Sequence, residues 1–235
     1  MLRVLITRPV AAAQALADLI EARGHDVVVE PLLTIEPLPV ALELGGIQAI
    51  ALTSANAAPA LGAVRHQPVF AVGAASAAAA RAAGCTRVES ADGDALSLAR
   101  RIVASCRPDG GAILHLCGTE VRKGLAEALR EAGFHVLRQA VYRARPAQAL
   151  SAPTRAALRE GIGAVLLFSP RTALIFAELV VRHGLERCLS ATDAYCLSAE
   201  VAESCRRLAW RCVRIAARPD QDALVDLLEA ADRRC

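Results

Sequence analysis

The feature that most constrains the fold of this chain is a short apolar segment that ends in a serine and a proline. Residues 164–168 are apolar without interruption, which is typical of a strand buried on both faces of a sheet. Ser169 and Pro170 follow, and an amphipathic segment then runs from Thr172 to Val181. Because a serine N-cap before a proline is a strong helix-start signal, the pattern predicts a buried strand joined by a tight turn to a helix N-terminus.

The same arrangement recurs along the chain, each time as an apolar segment followed by a hydroxyl-bearing turn and a helical pattern. The other occurrences are residues 49–56, 70–76 and 195–199. Strand and helix patterns alternate strictly from one end of the chain to the other. This alternation predicts an α/β fold class with parallel sheets that are flanked by helices.

An internal repeat divides the pattern into two similar halves. The segment from Val4 to Val27 resembles the segment from Ile113 to Val136 at a constant offset. The two serine-bearing turns that follow the first segment resemble the two that follow the second. The repeat predicts two similar domains, and on the repeat alone each domain could be contiguous or the two halves could interleave.

Composition excludes several classes of partner. The net charge of +3 is too small to indicate nucleic-acid binding. No apolar run reaches the ~18 residues of a membrane-spanning helix. The apolar residues 4–6 are too few for the core of a signal peptide. We therefore expect a soluble, cytoplasmic protein that binds neither nucleic acid nor a membrane.

The eight cysteines form no C-x-x-C pair and have no histidine at ligand spacing. Cys117, Cys196 and Cys212 fall in apolar strand patterns, which indicates reduced, buried cysteines. The chain contains no G-x-G-x-x-G, Walker A or G-x-S-x-G motif, and its histidines are scattered. We expect no metal and no cofactor.

Candidate ligand contacts lie at the carboxyl ends of the predicted strands, where doubly wound sheets bind ligands. Six turns there are predicted to place backbone N–H groups and a hydroxyl at a helix start, and helix N-termini attract anions. Each hydroxyl could equally serve only as the cap of its own helix, so a shared anionic ligand and plain capping are both open. The candidate residues are Thr7, Arg8, Thr53, Ser54, Asn56, Ser76, Gly118, Thr119, Ser169, Arg171 and Ser198.

Six short segments match a known family in their order and spacing. They are Val4-Leu5-Ile6-Thr7-Arg8-Pro9, Leu52-Thr53-Ser54-Ala55-Asn56-Ala57, residues 71–78 beginning Ala71-Val72-Gly73, Val141-Tyr142-Arg143, Phe168-Ser169-Pro170-Arg171-Thr172 and residues 218–228 beginning Arg218-Pro219. On these segments the chain resembles the uroporphyrinogen-III synthase family over essentially its whole length. It departs at the last strand–helix turn, where the family often has Gly-Pro-Thr and this chain has Leu197-Ser198-Ala199.

The resemblance implies a cofactor-independent hydro-lyase of tetrapyrrole biosynthesis. Such an enzyme closes the linear tetrapyrrole hydroxymethylbilane to uroporphyrinogen III, with inversion of ring D and loss of water. The resemblance also implies two similar α/β domains, joined by a two-stranded ribbon with a cleft between them. On that basis the first domain covers residues 1–33 plus 148–235, the second 40–140, and the ribbon 34–39 and 141–147.

The resemblance also assigns roles to residues. Tyr142 aligns with a tyrosine that the family places in the cleft, so it is the candidate catalytic residue for assisting hydroxyl departure; the alternative is a strand aromatic that packs at the ribbon. The carboxylate-rich substrate suits the many predicted helix N-termini. A monomer is expected, with possible transient contact with the preceding pathway enzyme. The main alternative function is a non-enzymatic two-domain binder of a small polyanionic ligand, and a nucleotide-dependent transferase is a weaker one because no phosphate loop is present.

Overall fold

The computed structural model describes residues 1–64, 66–120 and 124–232. The chain divides into two units, one formed by Met1–Thr34 with Arg145–Cys235 and the other by Ile35–Ala144. In the described residues the strands are β1 (Arg3–Ile6), β2 (Asp26–Val29), β3 (Leu33–Pro37), β4 (Ile47–Leu52), β5 (Val69–Ala71), β6 (Val88–Ser90), β7 (Ala112–Gly118), β8 (Val136–Pro146), β9 (Ala164–Leu167), β10 (Asp193–Cys196) and β11 (Cys212–Ile215).

Helices connect most of these strands. The α-helices of the described residues are α1 (Val10–Glu21), α2 (Ala74–Ala82), α3 (Ala95–Ser105), α4 (Leu125–Glu131), α5 (Ala152–Glu160), α6 (Pro170–Arg182), α7 (Ala199–Cys205) and α8 (Gln221–Asp232). Two 3-10 helices cover Ala55–Ala63 and Glu186–Ala191. None of the described helices is long and apolar enough to cross a membrane.

The unit formed by the two chain ends contains a five-stranded sheet in the order β11-β10-β9-β1-β2, and its strand pairs are parallel. Successive residues of β1 face opposite sides of this sheet, as the strand period of two requires. Leu5 packs with Phe176 of α6 on one side. Val4 and Ile6 pack with Leu16 of α1 on the other. The apolar strands are therefore covered on both faces.

The middle unit contains a six-stranded sheet in the order β3-β8-β7-β4-β5-β6. Its pairs from β8 to β6 are parallel. β3 runs against β8 in the opposite direction, since the Leu38 N–H donates to Val141 O and the Ala147 N–H donates to Leu32 O. One face of the sheet packs on α2 and the first 3-10 helix, and the other packs on α3 and α4.

The internal repeat corresponds to the topology of the sheets. The first repeated segment forms β1, α1 and β2, and the second forms β7, α4 and β8. β1 lies beside β9 and β10, which come from the second half of the chain, whereas β7 lies beside β4 and β5 from the first half. The two halves therefore interleave, and the order β10-β9-β1-β2 of one sheet corresponds to the order β5-β4-β7-β8 of the other.

Most predicted elements occur where the patterns place them, and the helix start at Ser169-Pro170 is confirmed with Ser169 as N-cap of α6. The helical pattern that follows the turn in residues 49–56 forms a 3-10 helix, Ala55–Ala63, instead of an α-helix, and it contains Pro59, which has no N–H to donate to an α-helical hydrogen bond. The 3-10 helix Glu186–Ala191 was not predicted.

The predicted helix start at Thr119 is wrong, because the described helix α4 begins at Leu125. Residues 121–123, which the prediction also covered, lie outside the described residues. Gly124 precedes the helix with a φ of +123°, which glycine adopts without steric cost. The carboxylate of Glu127 accepts the Gly124 N–H at 2.7 Å. This bond between Gly124 and Glu127, rather than the Thr119 hydroxyl, marks where the helix starts.

Candidate functional site

The predicted polar turns lie at the carboxyl ends of neighbouring strands in each unit. In the first unit β10, β9 and β1 are adjacent, and they are followed by Ser198, Ser169 and Arg8. In the second unit β5, β4 and β7 are adjacent, with Thr53 after β4 and Gly118 at the end of β7. Because these strands are parallel, their carboxyl ends share one edge of the sheet. Each unit therefore gathers its predicted residues at a single edge, where ligands bind in α/β sheets.

Three of the serines cap helices as predicted. Ser169 Oγ accepts the N–H of Thr172 at 3.1 Å. Ser54 Oγ accepts an N–H two residues further on at 3.2 Å, and Ser198 Oγ accepts one three residues further on at 3.4 Å. In these bonds the serine oxygen is the acceptor. The Ser169 hydroxyl also lies 2.9 Å from Thr172 Oγ1, whose own proton goes to Ser169 O, so the Ser169 proton is directed at Thr172. The hydroxyl protons of Ser54 and Ser198 can still be donated to a ligand.

Thr7 and Arg8 behave differently from the capping serines. Thr7 is fully buried, and its hydroxyl donates to Leu166 O at 2.7 Å, which ties β1 to β9. The Arg8 guanidinium lies 4.5 Å from the centre of the Phe168 ring and donates to Gln221 Oε1 at 2.6 Å. Burial lowers the pKa of Arg8. These contacts of Arg8 are to uncharged groups, so its positive charge is available to an anion.

The second unit contains a cavity of about 630 Å³ at its strand-end edge. Its lining residues are Thr53, Ser54, Val72, Asp94, Ala95, Leu96, Cys117, Gly118, Glu120, Gly124, Leu125 and Tyr142. Four of them were predicted from the sequence, namely Thr53, Ser54, Gly118 and Tyr142. The structure therefore brings these four together in one cavity.

Three other predicted residues of this unit do not line the cavity. Asn56 and Thr119 are exposed. Ser76 is buried and lies within α2, whose N-cap is Gly73, so its hydroxyl does not cap that helix. In the first unit Arg171 is half-buried at the second position of α6.

Tyr142 is held against the end of β7. A register shift between Cys117 and Gly118 places Gly118 opposite Tyr142, and the Thr119 N–H donates to Tyr142 O at 3.0 Å. A Cβ atom built on Gly118 would lie 2.9 Å from two carbons of the Tyr142 ring and 3.2 Å from its hydroxyl oxygen. Only glycine at position 118 therefore allows the ring its observed place.

Asp94 and Glu120 bring negative charge to the cavity, and neither was predicted as a site residue. Asp94 caps α3, and the backbone hydrogen bond from Ser97, 2.8 Å long, lowers the pKa of its carboxyl. The cap was visible in the sequence, since Asp94 follows a turn and starts a helical pattern. Glu120 carries no comparable sequence signal because it follows a strand without a recognisable motif.

His115 was also missed. It lies in the middle of β7 with 1% of its surface exposed, and its Nε2 is 3.0 Å from Thr53 Oγ1. Burial, followed by the charge of Arg138, lowers the pKa of His115 to about 4, although Glu127 opposes the shift. The imidazole is therefore neutral near pH 7. The Thr53–His115 contact depends on the register between β4 and β7, which the sequence does not reveal.

The described residues contain no group of three or more His, Cys, Asp or Glu side chains placed to hold a metal ion. Cysteines 85, 106, 117, 188, 196, 205 and 212 are free thiols, and Cys235 lies outside the described residues. Cys117 is among the lining residues of the cavity, its thiol donates to Gln139 O at 3.6 Å, and burial raises its pKa. This thiol is therefore a poor nucleophile near neutral pH.

The fold and the site define a class: α/β proteins made of two similar, mainly parallel sheets whose strand-end edges carry capped, polar turns. The family model described as uroporphyrinogen-III synthase HemD matches residues 14–226. The chain therefore belongs to the uroporphyrinogen-III synthase family. It is a hydro-lyase of tetrapyrrole synthesis, which closes hydroxymethylbilane to uroporphyrinogen III with loss of water.

Solved structures agree with this assignment at the level of the fold. The crystal structure of uroporphyrinogen-III synthetase from Helicobacter pylori 26695 superposes with a TM-score of 0.70 at 16% sequence identity, covering 98% of this chain and 100% of that one. A mutant uroporphyrinogen III synthase from the extremely thermophilic bacterium Thermus thermophilus gives a TM-score of 0.56 at 19% identity, covering 99% of this chain and 98% of that one. A search of curated proteins found no match.

Proposed function

We propose that the strand-end turns of both units bind the carboxylates of hydroxymethylbilane while Tyr142 assists the departure of its hydroxyl group. The observation that carries this proposal is the placement of the family's motif residues at adjacent carboxyl ends of parallel strands in each unit. The substrate is polyanionic, and the turns offer it hydrogen-bond donors rather than a cluster of lysines.

Backbone N–H groups at the starts of α1, α2 and α6 are the main proposed anion donors. The first N–H groups of a helix have no partner within the helix, and the helix dipole adds about 0.3–1 kcal/mol for an anion at an exposed terminus. Arg8 adds a full charge, and its stacking on Phe168 and bond to Gln221 hold it in place before the ligand arrives. Ser169 holds the start of α6 in place as its cap, and Ser54 and Ser198 add hydroxyl donors at the starts of the first 3-10 helix and of α7.

Tyr142 takes part in the proposed bond cleavage. Its hydroxyl transfers a proton to the hydroxymethyl oxygen as the carbon–oxygen bond breaks, so the oxygen leaves as water. The carbon that remains is part of a cationic azafulvene, which ring D then attacks through a spiro intermediate. The proton that ring D loses when the macrocycle closes returns to the Tyr142 oxygen. The carboxylates of Asp94 and Glu120 line the same cavity as Tyr142 and favour a developing positive charge.

The remaining candidates have supporting parts in the proposal. Thr7 positions the turn that carries Arg8, through its bond to Leu166 O. Arg171, Asn56 and Thr119 contact outlying carboxylates of the substrate, and Ser76 packs beneath the start of α2. Residues 34–39 and 141–147 are the ribbon between the domains 1–33 plus 148–235 and 40–140. The protein acts in the cytoplasm as a monomer, which sedimentation at micromolar concentration would test.

The distribution of product isomers tests the proposed function. Freshly generated hydroxymethylbilane is incubated with the protein, the product is oxidised, and the porphyrin isomers are separated. We expect the type III isomer from the wild type and a lower ratio of type III to type I from Tyr142→Phe. Spontaneous closure gives type I, so a reaction that yields only type I contradicts the proposal and supports the non-enzymatic binder, which no observation at present favours.

A further inference from the structure

His115 is a buried titratable group that the proposed chemistry does not use. It lies on β7, and its ring faces the first residue after the neighbouring strand β4, since Nε2 is 3.0 Å from Thr53 Oγ1. Its Nδ1 is buried and has no hydrogen-bond partner. Buried polar atoms without a partner are uncommon and costly. If the side chain at position 115 served only to pack in the core, an apolar ring of the same size would do so without the cost of burying an unpaired polar atom.

The unpartnered Nδ1 indicates which nitrogen carries the proton. A neutral imidazole has one N–H donor and one bare nitrogen. If Nδ1 carried the proton, a buried N–H would lack an acceptor, which is the rarer kind of unpaired group in folded proteins. If Nε2 carries it, the N–H donates to Thr53 Oγ1 and Nδ1 is only an unused acceptor. The geometry therefore favours the Nε2–H tautomer.

This tautomer determines what the Thr53 hydroxyl can do. Its oxygen accepts from His115, so its own proton does not point at the imidazole and is left for another acceptor. Thr53 lines the cavity that also contains Ser54, Gly118 and Tyr142. The hydroxyl proton is thus available to a group that enters this cavity.

We propose that His115 is a positioning residue whose Nε2–H donates to Thr53 Oγ1 and so directs the Thr53 hydroxyl proton toward an oxygen atom of the substrate that enters this cavity. The proposal rests on the proposed function, in which Thr53 contacts the substrate. It assigns a role to a side chain that makes no contact with the substrate itself. It also explains why a histidine, rather than an apolar residue, occupies the centre of β7.

A mutant cycle tests the proposal. His115→Phe keeps a ring of similar size but removes the donor, and Thr53→Val removes the hydroxyl. We expect each single variant to lose about tenfold in kcat/KM, as for the loss of one well-placed hydrogen bond, mostly through KM. The double variant should lose no more than Thr53→Val alone, because His115 acts only through Thr53. His115→Gln, which can still donate, should recover most of the loss, and the exposed His135→Gln is a matched control.

Nitrogen-15 NMR of the wild-type imidazole provides a readout that does not depend on variants folding. We expect a neutral ring with the proton on Nε2 near pH 7. A proton on Nδ1, losses that add in the double variant, or equal losses from His115→Phe and His115→Gln would each overturn the proposal. If Thr53→Val keeps full activity, the proposed substrate contact of Thr53 fails as well. If Thr53→Val loses activity but His115→Phe keeps full activity, the proposed function stands and only the role of His115 is refuted.

Discussion

Replacing Gly118 by alanine should displace the ring of Tyr142. The new Cβ would lie 2.9 Å from two ring carbons, whereas ordinary contacts of a Cβ begin at 3.4 Å, so a shift of the ring by about 0.5 Å is needed to restore an ordinary contact. A misplacement of about 1 Å at a reacting group can cost roughly a hundredfold in rate. We therefore expect kcat to fall about ten- to a hundredfold.

The fold should tolerate the same change. Position 118 does not have a positive φ, so alanine introduces no backbone strain there. Tyr142 is only half-buried and can turn outward, which places the cost at the low end of overpacking, about 1 kcal/mol. Steady-state kinetics with hydroxymethylbilane would give kcat, and thermal denaturation would give the free energy of unfolding.

A control variant and a double variant test whether Gly118 acts through Tyr142. Gly45→Ala is the matched control, because nothing lies within 4 Å of a Cβ atom there and its φ is not positive. Gly118→Ala in a Tyr142→Phe background should have little further effect on kcat, since the displaced hydroxyl is already absent. A wild-type kcat in Gly118→Ala, or an equal loss in both backgrounds, would refute the idea that this glycine acts through Tyr142.

The site and the core support four further predictions. Tyr142→Phe should slow turnover while the free energy of unfolding stays within about 1 kcal/mol of wild type; unfolding would instead identify Tyr142 as a packing residue. Ser169→Ala should lose a cap worth about 1 kcal/mol but keep most activity, whereas Ser169→Asp keeps the cap and should lose most activity through repulsion of substrate carboxylates; equal small effects on kcat/KM would contradict this. The buried Asp193 carboxylate accepts from Arg211 and Arg214, and although burial alone would raise its pKa, these bonds hold the pKa below its usual range. The stability it provides should be complete above the unfolded pKa of about 3.9 and lost as the pH falls through the lower folded pKa, so Asp193→Asn should flatten the acid limb of the unfolding curve. Dialysis against a chelator should leave turnover unchanged, and a loss restored by one specific metal would show that the family's cofactor independence does not hold here.

Local patterns were sufficient to predict most of the fold. The Ser169-Pro170 start of α6 is predictable because capping and a fixed φ act within one turn of chain. The start of α4 was misplaced because a threonine after a strand looks like a cap, while the operative signal is the pair Gly124 and Glu127 further on. The repeat left contiguous and interleaved halves equally open, since the order of strands in a sheet depends on packing across distant parts of the chain.

The candidate site was only partly predictable. Thr53 and Ser54 come just after β4 and Gly118 is the last residue of β7, so their place at a sheet edge follows from the local sequence pattern. The contact between Thr53 and His115 joins residues far apart in sequence through strand register, and the close approach of Tyr142 to Gly118 depends on a register shift. Neither the strand register nor the register shift can be recognised from the sequence. Thr7 was predicted as a ligand contact because it lies in a matching motif. Its hydroxyl instead donates to the backbone carbonyl of Leu166 within the core.

Amide chemical shifts measured with bound uroporphyrin III, the oxidised product, test most directly whether the strand-end edges of both units bind the substrate. We predict shift changes in both units at once: at residues 53–56, 73–76 and 118–119 in one, and at residues 8, 10, 169, 171 and 198–200 in the other. Amides at the opposite ends of the same strands, such as those of residues 47 and 112, should not change. Changes confined to one unit, or found mainly at those opposite ends, would contradict the account.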